Sequence, residues 1–218
     1  MKKHAFCFSV CSIFFFACNN ATSDKNTDDT VPAETSVTTE KEEPWVAVDS
    51  ATEMKAWMEY STPGEMHNML AASSGTWNCE TTMWMNSDAP PMKSTAKMVN
   101  KMSLGGRYQL STYTGNMMGM PFEGMSTVGY DNYEKKFIST WIDNMGTGVM
   151  KMEGTWDAAT KTISFSGTMV NPANGRECKM REVYTYVDAN TEKLEMYGPD
   201  SRTGKEYKTM EMVLTRAK

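Results

Sequence analysis

Histidine is almost missing from this chain. There are two, His4 and His67, and His4 lies in a leader-like N-terminus. A Ser-His-Asp or Cys-His arrangement would therefore have to be built on His67 alone. Zinc sites draw on several cysteine or histidine ligands, and none cluster here. Cysteine is scarce as well: five in all, of which only Cys18, Cys79 and Cys178 lie beyond residue 17. The apolar run Ala5 to Ala17 falls well short of the roughly 20 residues that a helix needs to cross a bilayer. There is no excess of positive charge either, with 22 basic against 27 acidic residues, so no basic face points to nucleic acid.

The N-terminus is informative. Lys2 and Lys3 followed by Ala5 to Ala17 have the pattern of a secretory signal peptide, residues 1–17. Phe15-Phe16-Ala17-Cys18 resembles a bacterial lipobox, with Phe15 where leucine is usual. The resemblance implies that Cys18 is acylated (a palmitate-type anchor) and becomes the new N-terminus. Asn19 after it implies sorting to the outer membrane of the cell envelope. An ordinary signal peptide cleaved elsewhere is the alternative. Residues 18–50 read as an acidic, threonine-rich tether, expected to be disordered because they hold too little apolar surface to offset ordering entropy. With Cys18 lipidated, Cys79 and Cys178 either pair, as an oxidising compartment permits, or remain separately buried thiols.

Residues 51–74 are the helical segment. Met54, Trp57 and Met58 recur at helical spacing, Ser61-Thr62-Pro63-Gly64 interrupts, and Thr62 is expected to cap a second short helix with Pro63 at its first position. That helix places Met66, Met69 and Leu70 on one stripe and reads as a plug across a barrel end.

Residues 75–218 are strands. Alternation places Phe137, Ser139, Trp141 and Asp143 on one face of a strand. Polar turns recur around Asp131, Asp157 and Asp188, where aspartate caps its own backbone. Ten strand-like segments separated by Gly, Pro and Asn clusters predict an all-β antiparallel up-and-down barrel, since closure removes exposed edges.

Gly75-Thr76-Trp77 opens the first strand and Arg216 ends the last. Leu104-Gly105-Gly106-Arg107-Tyr108, Phe122-Glu123-Gly124, Gly129-Tyr130-Asp131 and Trp141-Ile142-Asp143 lie between them. Together these resemble the bacterial family known as domain of unknown function 1579, over residues from about 63 to 216. The resemblance implies a lipocalin-like (calycin) barrel in which Arg216 packs across the Trp77 indole to close one end. It implies no established activity. Some ten-stranded barrels of this kind hold haem through a histidine, but no strand histidine exists here and no cofactor is expected.

The compositional anomaly is methionine, at 22 residues. The i, i+2 pairs Met83/Met85, Met118/Met120, Met150/Met152 and Met210/Met212 read as flexible apolar filling or adaptable pocket lining. A Cu(I) site at Met117, Met118 and Met120 is the sharper alternative. Arg107, Tyr130, Trp141, Asp143 and Arg181 are the candidate ligand-pocket residues, chosen partly from the resemblance. Asp143 either orients a polar head or closes an ion pair with Arg107 or Arg181. His67 reads as a surface residue of the plug helix. No nucleophile–base pair is visible, so catalysis is not indicated. Three readings follow: a tethered binder of a small apolar or amphipathic ligand, an enzyme using the same cavity, and a structural lipoprotein with a filled barrel.

Overall fold

A computed structural model describes residues 44–218; the expected signal peptide, Cys18 and the expected tether as far as residue 43 lie outside the described residues. The first element, α1 (Ser50–Ser61), starts where the Asp49 carboxylate accepts the Ala51 and Thr52 N–H groups at 3.0 and 3.1 Å. Its stripe of Met54, Trp57 and Met58 is exposed, and no residue of α1 is buried. Among the described residues, the hydrogen bonds that tie this helix to the strands come from its C-terminal end. Tyr60 donates to Asp131 at 3.2 Å, and the Asn132 amide donates to the Tyr60 and Thr62 carbonyls at 2.9 and 2.8 Å.

The second helix, α2 (Glu65–Ala72), corrects the expected cap. Its N-cap is Gly64, whose N–H donates to His67 Nδ1 at 3.0 Å, while the Thr62 hydroxyl turns back to the Met58 carbonyl of α1. His67 is therefore buried and not on the surface. Its ring lies edge-on to Tyr130 at 6.0 Å, and burial pushes its pKa down.

Ten strands follow: β1 (Gly75–Met83), β2 (Met92–Ser103), β3 (Tyr108–Met117), β4 (Met120–Asp131), β5 (Lys136–Asp143), β6 (Met150–Asp157), β7 (Thr162–Val170), β8 (Glu177–Asp188), β9 (Thr191–Pro199) and β10 (Glu206–Arg216). Each pairs antiparallel with its neighbour in sequence, and β1 pairs with β10, so the sheet closes into the expected up-and-down barrel. Closure leaves no edge for stray pairing. The turn aspartates do as their spacing predicts: Asp131, Asp157 and Asp188 each accept a backbone N–H two residues on, at 2.7 to 2.8 Å.

Strand alternation fixes what the barrel encloses. Trp77 and Cys79 of β1, Met98 of β2, Tyr113 of β3, Phe137 of β5, Met152 of β6, Phe165 of β7 and Leu214 of β10 are buried inside. Close approach requires glycine at two wall positions. A Cβ on Gly124 would stand 2.5 Å from the Trp141 ring, and one on Gly154 would stand 2.6 Å from Phe165. Small residues under large rings let the barrel hold aromatic side chains without widening.

Candidate functional site

The two ends of the barrel are built differently. At the end where β1 begins, α2 lies across the opening and presents its last carbonyls, of which Leu70 already accepts the Ser73 N–H at 3.2 Å. Barrel side chains take them up. Gln109 Nε2 donates to the Leu70 carbonyl at 2.7 Å, and Arg216 donates to the Ala72 and Ser74 carbonyls at 3.0 and 2.8 Å. Trp77 Nε1 and Asn100 Nδ2 share the Ser73 carbonyl at 2.9 and 3.2 Å. Arg216 also lies over the Trp77 ring, its Cζ 4.3 Å from the centroid, and the two residues are direct register partners. A cation at a helix C-terminus, stacked on an indole, is favourable on both counts. Glu192 of β9 completes the closure, accepting from Ser73 Oγ at 3.0 Å and from the Tyr184 phenol. Burial raises the Glu192 pKa, and these hydrogen bonds partly oppose that.

Beyond the plug the barrel is hollow. A cavity of about 300 Å³ extends from Leu70 on α2 to Met117, Asp143 and Met145 near the opposite rim. That is at the small end of the range for ligand sites. Eight methionines line it: Met98, Met117, Met145, Met150, Met152, Met196, Met210 and Met212. Phe122, Trp141, Tyr113 and Phe165 add aromatic surface. Trp141 packs edge-on against Tyr113 at 5.1 Å and near-parallel to Phe122 at 6.3 Å.

The wall also carries small polar side chains, Ser111, Ser126 and Ser139 among them, and two carboxylates among the described residues, Asp143 and Glu182. Trp141 Nε1 donates to Asp143 Oδ2 at 2.6 Å, and the Met145 N–H donates to Oδ1 at 2.9 Å, which fixes both side chains. Glu182 of β8 also lines the cavity and, among the described residues, has no hydrogen-bonding or ionic partner. Desolvation alone raises its carboxyl to a pKa of about 7.

The residues singled out from sequence divide cleanly. Trp141 and Asp143 meet in the cavity wall. Tyr130 sits inside the barrel but packs under the plug against Phe137, at 4.9 Å, and His67, away from the lumen. Arg107 is in the β2–β3 turn, donating to the Leu104 carbonyl at 3.1 Å. Arg181 is on the outer wall, paired with Glu206 at 2.9 Å and lying 3.8 Å over the Tyr197 ring. Neither arginine reaches Asp143. The candidate copper trio does not converge: Met117 lines the cavity, whereas Met118 and Met120 face solvent at the β3–β4 turn. Of the methionine pairs, Met150/Met152 and Met210/Met212 turn inward as lining, and Met85 is exposed. Cys79 and Cys178 are free thiols, and burial pushes Cys79 up to about 12, which makes it inert. Glu182 went unrecognised in the sequence, although Met180, Glu182, Tyr184 and Tyr186 share one face and Glu182 is the lone carboxylate on it.

The family model described as protein of unknown function (DUF1579) matches residues 62–216. The chain belongs to this family. Two solved structures share the DUF1579 barrel's fold at low sequence identity. Rv2717c from M. tuberculosis is 12% identical with a TM-score of 0.55, over 72% of this chain and 100% of that one. The S-type phycobiliprotein lyase CPES from Guillardia theta is 9% identical with a TM-score of 0.52, over 74% of this chain and 97% of that one. Both likenesses concern the fold alone. No curated protein matches the sequence.

Proposed function

We propose that this DUF1579 barrel is a binding module for a small amphipathic molecule, held off a membrane by an acylated Cys18. The supporting observation is the cavity itself: about 300 Å³, walled by methionine and aromatic side chains interspersed with hydroxyls, amides and two carboxylates among the described residues. A filled structural barrel would have side chains in that space, because cavities cost stability. Methionine suits a binding wall, since its unbranched thioether repacks around different shapes.

The experiment is a titration of the folded domain with the neutral, environment-sensitive dye N-phenyl-1-naphthylamine. Binding in the micromolar range is expected. Trp141→Ala weakens it while leaving the circular dichroism spectrum unchanged. A barrel that takes up no dye supports the structural-lipoprotein reading instead. The anchor is tested separately, by fatty-acid labelling and fractionation of wild type and Cys18→Ala in a Gram-negative host. Equal label and equal membrane retention would reject it.

A further inference from the structure

Among the described residues the cavity wall contains no lysine, arginine or histidine. Its ionisable groups are Glu182, Asp143 and three tyrosines, Tyr113, Tyr184 and Tyr186. A carboxylate or phosphate head would enter an apolar space with no cation to meet it and a carboxyl to repel it. Tyr113 is 7% exposed, and among the described residues its phenol has no partner and can donate or accept. Asn100, also in the wall, has a buried Oδ1 with no donor. A buried acceptor without a donor is costly, and the Glu182 carboxylate is the second acceptor of the wall without a partner among the described residues. Trp141, Tyr113 and Phe122 add the π surfaces that attract an organic cation.

We propose that the ligand is a cationic amphiphile: a protonated amine or comparable organic cation on an apolar body, with Glu182 as its counter-ion. This rests on the ligand-binding reading above and narrows it. Glu182 is the group free to serve. Asp143 is already occupied by the Trp141 indole and the Met145 amide, and Glu192 by Ser73 and Tyr184. Glu182 lies opposite Met196 of β9 and Phe165 of β7 in the sheet, with Tyr113 of β3 across the lumen and Tyr184 and Tyr186 further along its own strand; Glu192 of β9 lies opposite Tyr186. Those tyrosines are all held above their ordinary values by burial, and Cys79 of β1 is likewise neutral. Burial raises the Glu182 carboxyl to about 7, so its charge changes in a range where an alkylamine stays protonated.

The test uses three probes with one apolar chain and different heads: decylamine, decanol and decanoate, titrated calorimetrically into the intact domain. At pH 8 decylamine is expected to bind at least about tenfold more tightly than decanol, with decanoate weakest. Below about pH 7 the advantage falls by roughly tenfold per pH unit, because the cation must then displace a proton from Glu182. Glu182→Gln removes the advantage and its pH dependence while decanol binding persists. The head-group series on the wild-type chain does not depend on that variant folding. Decanol or decanoate binding as tightly as decylamine at pH 8 overturns the cation assignment and leaves the ligand-binding reading standing. An amine preference that survives Glu182→Gln overturns the counter-ion. No binding of any probe overturns both readings together.

Discussion

Glu182 and Glu192 stand on neighbouring strands, both turned into the same barrel, yet they occupy regions built on different terms. Around Glu192 each donor has an acceptor: Ser73, Tyr184, Asn100, Trp77 and Arg216 bind one another or the last carbonyls of α2. Around Glu182 there is methionine, aromatic surface and empty space. A dense polar network, in which Asn100 Oδ1 is the one buried side-chain atom left without a partner among the described residues, specifies one arrangement of plug and barrel. An unpartnered carboxyl in an apolar lumen does the reverse, since it costs stability that a methionine at the same place would not. The plugged end holds the fold together, and the lumen keeps hydrogen-bonding capacity unspent.

The largest effect that would separate these regions is loss of the plug anchor. Trp77→Ala removes a fully buried indole and should cost about 3–5 kcal/mol in urea unfolding, as large-to-small core changes do. Arg216→Ala should cost less. A double-mutant cycle should show a coupling of about 0.5–2 kcal/mol from the stacked cation. Strictly additive losses would mean that the 4.3 Å contact contributes nothing to closure.

The second comparison sets the two glutamates against each other. Glu182 has a folded pKa of about 7, raised from 4.5, so the native state binds more protons than the unfolded chain between those values. Stability must then fall as pH rises from about 4.5 to about 7. With allowance for water in the lumen, the loss is on the order of 1–3 kcal/mol. The difference between wild type and Glu182→Gln isolates it, because the other carboxylates are common to both chains. Glu182→Met should be more stable than wild type at pH 8. Glu192→Met should be less stable, by about 1–3 kcal/mol, since it strands the Ser73 and Tyr184 hydroxyls. Urea midpoints at several pH values check both, and matching responses from the two substitutions would dissolve the distinction.

Much of the fold was legible because it rests on short-range rules. Turn aspartates, glycine clusters and ten alternating segments led to ten antiparallel strands, and the Trp77–Arg216 contact followed from the family pattern. The site was less legible because it depends on parity. Alternation on β5 places Trp141 and Asp143 inward and is readable locally. On β8 the choice between Arg181 and its neighbour Glu182 decides whether the lumen holds a cation or a carboxyl. The family resemblance pointed in part to Arg181, whereas the face shared with buried Met180 and with Tyr184 selects Glu182. The burial of His67 was hidden for another reason. Its partner is the backbone N–H of Gly64, and a cap made by a histidine on a glycine leaves little trace in residue types. Nor could sequence show that the carbonyls at the end of α2 are taken up by Gln109, Asn100 and Arg216 from remote strands.

The smallest expected effect tests that parity directly. Arg181 lies outside the wall, bound to Glu206 and stacked on Tyr197, with its side chain 41% exposed. Solvent and salt screen such a pair, so Arg181→Ala should cost under about 1 kcal/mol in urea unfolding. It should leave N-phenyl-1-naphthylamine and decylamine affinities within about twofold of wild type. Its nearest neighbour in sequence should behave in the opposite way, since Glu182→Gln changes amine binding through a wall only one strand thick. If Arg181→Ala instead weakens the amine and the neutral dye together, β8 presents the other face to the lumen. The assignment of Glu182 then fails along with the inward register of that strand.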